Sequence, residues 1–151
     1  MDLTGKVCVI TGASSGIGQS LAIKISLKGA TVVMAARRNS KLITIKKKID
    51  TEEGKCIGIK TDITKKLECK HLIDETINFY GKIDILILGA GVSMWSPFEE
   101  ITDISFFDDL MATNYSGAVH CIHAALPHLI SSKGMIVSVS YTHLRAHETL
   151  L

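Results

Sequence analysis

The most constraining feature of the sequence is a regular alternation of two patterns. Short runs rich in valine and isoleucine occupy residues 6–11, 31–35, 56–60, 83–88 and 135–140. Such runs suit strands buried on both faces of a parallel sheet. Helical spacing fills the intervals. Residues 16–28 stop before Gly29, and residues 40–52 place Leu42, Ile45 and Ile49 on one stripe, with Lys46, Lys47 and Lys48 turned to solvent. Residues 65–80 align Cys69, Leu72, Ile73, Ile77 and Tyr80, then stop at Gly81. Residues 105–131 read as a longer helix with a bend expected at Pro127. Strand and helix alternating in this way, with right-handed crossovers, predict one α/β domain built on a doubly wound parallel sheet. A ligand would sit at the carboxyl ends of the strands, at the switch between the first and the fourth.

Composition narrows the function classes. At 151 residues, 46% hydrophobic and 21% charged, the chain has the material for one core and is no disordered tail. A net charge of +2 and 5% aromatic residues argue against nucleic acid as a partner. The cysteines Cys8, Cys56, Cys69 and Cys121 form no CxxC pair, and the first strand begins too early to leave room for a targeting segment. Reduced thiols and a cytoplasmic setting are expected. Residues 110–132 carry no Asp, Glu, Lys or Arg and are long enough to span a bilayer. They also hold Asn114, Tyr115, Pro127 and three histidines, which hydrocarbon would penalise, so a buried helix and no membrane span is expected.

The chemistry concentrates at Thr11-Gly12-Ala13-Ser14-Ser15-Gly16-Ile17-Gly18, between a strand and a helix. Glycines there permit a tight turn and close approach of a pyrophosphate, and the helix N-terminus supplies free N–H groups. A tight strand-to-helix turn alone could use the same residues. An acid at the end of the second strand would bond a free ribose 2′-hydroxyl and select NAD. Ala36 stands there, followed by Arg37 and Arg38, whose guanidinium forks suit a 2′-phosphate and favour NADP. Two solvated arginines at a strand end are the plainer alternative.

TGASSGIG resembles the glycine motif of the short-chain dehydrogenase/reductase family, whose Rossmann fold matches the order above. Other landmarks follow in sequence. Asp62-Ile63 resembles the family's Asp-Val/Ile pair near adenine, and Leu88-Gly89-Ala90-Gly91 its NNAG motif. Asn114 matches a helix Asn that holds a proton-relay water, although a helix Asn can also serve a neighbouring backbone group. Leu126-Pro127 and Gly134-Met135-Ile136-Val137 match the approach to the fifth strand, and with Met94-Trp95 they resemble hydroxysteroid-dehydrogenase-type members. The resemblance covers residues 1–138. It implies a homo-oligomeric parent that interconverts a carbonyl and a secondary alcohol by hydride transfer with a nicotinamide cofactor, which Arg37 and Arg38 favour as NADP rather than NAD. It places Gly12, Ser14, Ser15, Gly16, Ile17, Gly18, Arg37, Arg38, Asp62, Ile63, Ala90 and Gly91 at the cofactor and Asn114 in the proton relay. Residues 92–98 suggest an apolar substrate.

Two departures stand out. Leu88 and Gly89 replace both amides of NNAG, so the bonds they make between strands must be lost or remade, and Ser15 stands where many NADP-dependent members carry a base. The family's Ser and Tyr-x3-Lys are also missing: Ser140 fills the first position of the family's Ser-Ser pair, Tyr141 the place of the catalytic Ser, and no Tyr-x3-Lys follows. Tyr141 and Arg145 share the right spacing, but Tyr141 falls too close to the fifth strand and Arg is no substitute for Lys. Residues 139–149 resemble instead the in-frame translation of a transposase-type sequencing adapter. The expectation is therefore a domain at 1–138, truncated after its fifth strand, with a non-native tail at 139–151 and no catalysis by this chain. A strand left at a sheet edge would be prone to aggregation. A non-catalytic nucleotide-binding module is the alternative function. His120, His123, His128, His143 and His147 with Cys121 are read as ordinary residues rather than a metal site, for want of a supporting carboxylate.

Overall fold

The structure, a computed structural model, describes residues 2–94 and 96–140. Trp95, Tyr141, His143, Arg145 and His147 lie outside the described residues. Among the described residues, strands β1 (Val7–Thr11), β2 (Thr31–Ala36), β3 (Lys55–Lys60), β4 (Ile85–Leu88) and β5 (Met135–Ser138) form one sheet in the order β3-β2-β1-β4-β5. Every pairing is parallel. The helices are α1 (Gly16–Ser26), α2 (Asn39–Thr51), α3 (Lys66–Tyr80), α4 (Ser105–Met111) and α5 (Gly117–Ser132). The predicted doubly wound order is therefore present, with its switch between β1 and β4.

Alternation along the strands divides the core in two. Cys8 and Ile10 of β1 with Val32 and Met34 of β2 meet Ala22 of α1 and Leu42, Ile45 and Ile49 of α2. Val9, Val33, Leu86 and Leu88 face the other way, onto Leu72 and Ile73 of α3 and Cys121, Ala125 and Leu129 of α5. Successive residues of a strand point to opposite faces, so strands apolar throughout need a helical layer on each side. β5 departs from this burial. Met135, Ile136 and Val137 are 53%, 41% and 40% exposed, an apolar sheet edge among the described residues.

The long helix expected over 105–131 is interrupted, but at a different place. Pro127 sits inside α5, and the break is a π turn at Ala112–Ser116, where the Gly117 N–H reaches back to the Ala112 carbonyl. Such wider turns often accompany functional residues, and this one contains Asn114. No helix among the described residues is long and apolar enough to cross a membrane.

Helix α2 ends unusually. The Glu53 N–H bonds the Asp50 carbonyl and the Gly54 N–H the Ile49 carbonyl, so Glu53 is the residue that turns the chain, at φ 59°. A left-handed conformation costs an ordinary L-residue about 1–2 kcal/mol, and glycine avoids it at the expense of a more flexible unfolded chain. Glu53→Gly is therefore expected to stabilise the fold by about 0.5–1 kcal/mol, read as a higher urea midpoint with an unchanged slope.

Candidate active site

The carboxyl ends of β1 to β4 open into a cleft of about 440 Å³. All the residues assigned above to the cofactor line it: Gly12, Ser14, Ser15, Gly16, Ile17 and Gly18 from the glycine loop, Arg37 and Arg38 after β2, Asp62 and Ile63 after β3, and Ala90 and Gly91 after β4. Asn114 lies outside this cleft. It lines an adjoining one of about 720 Å³, with Ile17, Leu88, Met94 and Ala118 on its apolar wall.

The three loop glycines serve different ends. Gly12 has φ 69°, and a β-carbon there would lie 2.6 Å from the Gly89 carbonyl oxygen and 2.7 Å from the Ala90 nitrogen. A β-carbon on Gly18 would lie 2.5 Å from the Gly12 carbonyl oxygen. Both glycines thus let protein backbone approach protein backbone. Gly16, at φ 55°, has nothing within 4 Å of the equivalent position and leaves the cleft open above the start of α1.

The helix start is bare. Ser15 has an extended backbone and makes no side-chain cap to α1, whose first turn holds no acid. An uncapped N-terminus presents unsatisfied N–H groups and the positive end of the helix dipole. The Ser15 hydroxyl instead accepts from Arg38 Nη2 at 2.9 Å, and the Ser14 hydroxyl accepts from the same nitrogen at 2.9 Å. Arg38 thereby ties the end of β2 to the glycine loop, while Arg37 stays exposed and makes no hydrogen bond or ion pair among the described residues.

Asp62 is held in a tight local turn. Its Oδ1 accepts the Thr64 hydroxyl at 2.8 Å and the Thr64 N–H at 3.1 Å. Burial pushes its carboxyl up, but the Thr64 donors and the charges of Arg37 and Lys65 outweigh that and hold it below the ordinary carboxylate range. It is anionic at neutral pH.

Thr11, the buried first residue of the glycine motif, was not among the site residues expected from the sequence. Its hydroxyl accepts the Gly89 and Ala90 N–H groups at 3.1 and 3.2 Å, joining the ends of β1 and β4. Leu88, in the place of the first amide, is buried among the apolar residues of α3 and α5. A hydroxyl-bearing residue closing the apolar first strand was the available signal. Asn114 is used by backbone: its Oδ1 accepts the Val92 N–H at 2.9 Å and its Nδ2 donates to the Val92 carbonyl at 2.8 Å. This two-point clasp fixes the loop after β4 against the π turn.

The four cysteines are free and buried. Among the described residues no three His, Cys, Asp or Glu side chains converge as metal ligands. His120 instead places Nδ1 3.3 Å from the Ile63 carbonyl oxygen.

The chain is similar to known proteins over most of its length. An 11-beta-hydroxysteroid dehydrogenase of Pinus massoniana is 42% identical over 137 residues, covering 90% of this chain and 38% of the relative. The 11-beta-hydroxysteroid dehydrogenase-like 2 of Arabidopsis thaliana is 41% identical over 140 residues, covering 92% and 46%. This chain thus spans less than half the length of those relatives. The crystal structure of a dehydrogenase/reductase from Sinorhizobium meliloti superposes with a TM-score of 0.88 at 29% identity, over 95% of this chain and 57% of that one. The family model for short chain dehydrogenase matches residues 6–146, nearly the whole sequence, and the chain belongs to that family.

Proposed function

We propose that the cleft binds NADP, and that the whole protein from which this chain derives is an oxidoreductase interconverting a carbonyl and a secondary alcohol. The observation that carries the cofactor assignment is the uncapped N-terminus of α1 beneath the open face of Gly16, with two arginines and no acid at the end of β2. The α1 N–H groups would take the pyrophosphate, and Arg37, with Arg38 bracing the loop beside it, the 2′-phosphate. Ala90 and Gly91 would border the nicotinamide half. When bound, the nicotinamide supplies the hydride. Asn114 fixes the Val92 loop through its side chain, and its position at the π turn favours a further part in holding a relay water. The apolar wall formed by Ile17, Leu88, Met94 and Ala118 favours an apolar substrate, in keeping with relatives named for hydroxysteroids.

Residues 1–138 would form the cofactor domain, and 139–151 a tail of non-native origin. Catalysis by this chain itself is not expected, because its sequence holds no Tyr-x3-Lys to supply the acid and base. That same absence favours, as a second reading, a non-catalytic nucleotide-binding module. Sequencing the gene across codon 138 separates the two. A continuation through a Ser and a Tyr-x3-Lys supports the enzyme, and an encoded end at Leu151 supports the module.

Calorimetric titration tests the cofactor. Arg37→Ala is expected to weaken NADPH about tenfold, the lower end for a lost charge-assisted contact, and to leave NADH within about twofold. Equal losses would remove Arg37 from the 2′-phosphate.

A further inference from the structure

The segment after β3 is held from outside the cleft with unusual completeness. The Asp62 N–H donates to Glu68 Oε2 at 2.7 Å, and the Asp62 carbonyl accepts the Lys65 N–H at 3.0 Å. The Ile63 carbonyl accepts the Cys69 thiol at 3.3 Å and lies 3.3 Å from His120 Nδ1. Among the described residues the Ile63 N–H alone of these four backbone groups has no partner, and Ile63 lines the cleft. Glu68 lines neither cleft.

We infer that Glu68 is a positioning residue of the cofactor site, holding Asp62 by its N–H so that the Asp62 carboxylate and the Ile63 N–H remain set for the adenosine half of the dinucleotide. This presupposes that the cleft binds the nucleotide. A bond from a backbone N–H to a carboxylate is about twice as strong as a neutral one. Lys65 Nζ lies 3.2 Å from the other oxygen, Glu68 Oε1, in an exposed ion pair. The competing role is plain helix stabilisation, because Glu68 is also the acid in the first turn of α3.

Two substitutions separate these roles. Glu68→Gln keeps an oxygen acceptor at full reach but removes the charge that favours the helix start. Glu68→Asp keeps the charge and shortens the reach by one methylene, losing the 2.7 Å contact. Affinities of the chain for 2′,5′-ADP and for nicotinamide mononucleotide are measured by titration, with thermal unfolding alongside. The expected result is 2′,5′-ADP bound about tenfold more weakly by Glu68→Asp and within about threefold of the parent by Glu68→Gln, the mononucleotide being unaffected in both. The thermal midpoint should fall more in Glu68→Gln. The assignment is overturned if both variants bind 2′,5′-ADP alike, if Gln is the weaker, or if both nucleotides weaken together. Failure of the unsubstituted chain to bind 2′,5′-ADP would instead overturn the nucleotide site itself.

Discussion

Gly12→Val is expected to destabilise the fold by about 3–5 kcal/mol, whereas Gly16→Ala costs only about 1 kcal/mol. Both positions have positive φ, so both substitutions carry the strain of a left-handed L-residue, larger for a β-branched one. The difference lies in what surrounds the new β-carbon. At Gly12 it would meet the Gly89 carbonyl oxygen and the Ala90 Cα and nitrogen at 2.6–2.7 Å. These are backbone atoms, pinned by the Thr11 hydroxyl through the Gly89 and Ala90 N–H groups. They cannot rotate aside, so relief requires β1 and β4 to part at their carboxyl ends, and overpacking of that kind adds about 1–3 kcal/mol. At Gly16 nothing lies within 4 Å and only the dihedral cost remains. Urea unfolding of the two variants checks this directly. Similar losses in both would mean that the loop after β4 yields more readily than its hydrogen bonds suggest. The same contrast separates folding from binding: a methyl at Gly16 enters the proposed phosphate site, so Gly16→Ala should retain the fold while weakening NADPH.

What the sequence could show follows the range of the interactions concerned. Layering was legible because β1 and β2 bury both faces, which forces the continuous apolar runs Val7–Thr11 and Thr31–Ala36. The stripe Leu42, Ile45, Ile49 is likewise a local consequence of helical period, and all three are buried. The glycine loop announced itself through residue types that few other turns need. Long-range polar contacts leave no such trace. Thr11 opens the glycine motif and closes the first strand, yet nothing in its neighbourhood says that its hydroxyl bonds backbone groups across the sheet at Gly89 and Ala90. Arg37 and Arg38 look equivalent as a pair, yet one is tied to Ser14 and Ser15 and the other makes no such contact among the described residues. The π turn was hidden for a related reason. Proline has a known local cost, so the bend was expected at Pro127, whereas the extra residue at Ala112–Ser116 goes with a contact from Asn114 to Val92.

Asp84→Ala is expected to cost about 3 kcal/mol and to add a distinct change in acid stability, at the end of the sheet opposite the cleft. The Asp84 backbone already joins three strands: its N–H donates to the Val7 carbonyl and its carbonyl accepts the Met135 N–H. Its carboxylate is 6% exposed. Oδ2 accepts the Val7 N–H at 2.9 Å and pairs with Lys82 at 2.9 Å, while Oδ1 pairs with Lys6 at 3.3 Å. The lysines are about half exposed, so each ion pair contributes at most about 1 kcal/mol after screening. Most of the cost is the Val7 N–H, which alanine would leave buried and unpaired, at about 1–3 kcal/mol. Asparagine keeps an acceptor for that N–H, so Asp84→Asn should cost only about 1 kcal/mol. Burial pushes the Asp84 carboxyl up, but the Val7 N–H and the two lysines outweigh it and hold it below its ordinary value of 3.8. A depressed folded-state pKa means that the unfolded chain takes the proton first as pH falls. Its contribution is therefore complete above about pH 4, near the unfolded carboxylate value, and disappears as pH falls through the folded value. Urea midpoints measured from pH 7 to pH 3 should converge between the parent and Asp84→Asn at the acid end, because only the parent has this term to lose. A gap that stays constant over that range would show that the Asp84 charge contributes nothing and that shape alone holds the three strands together.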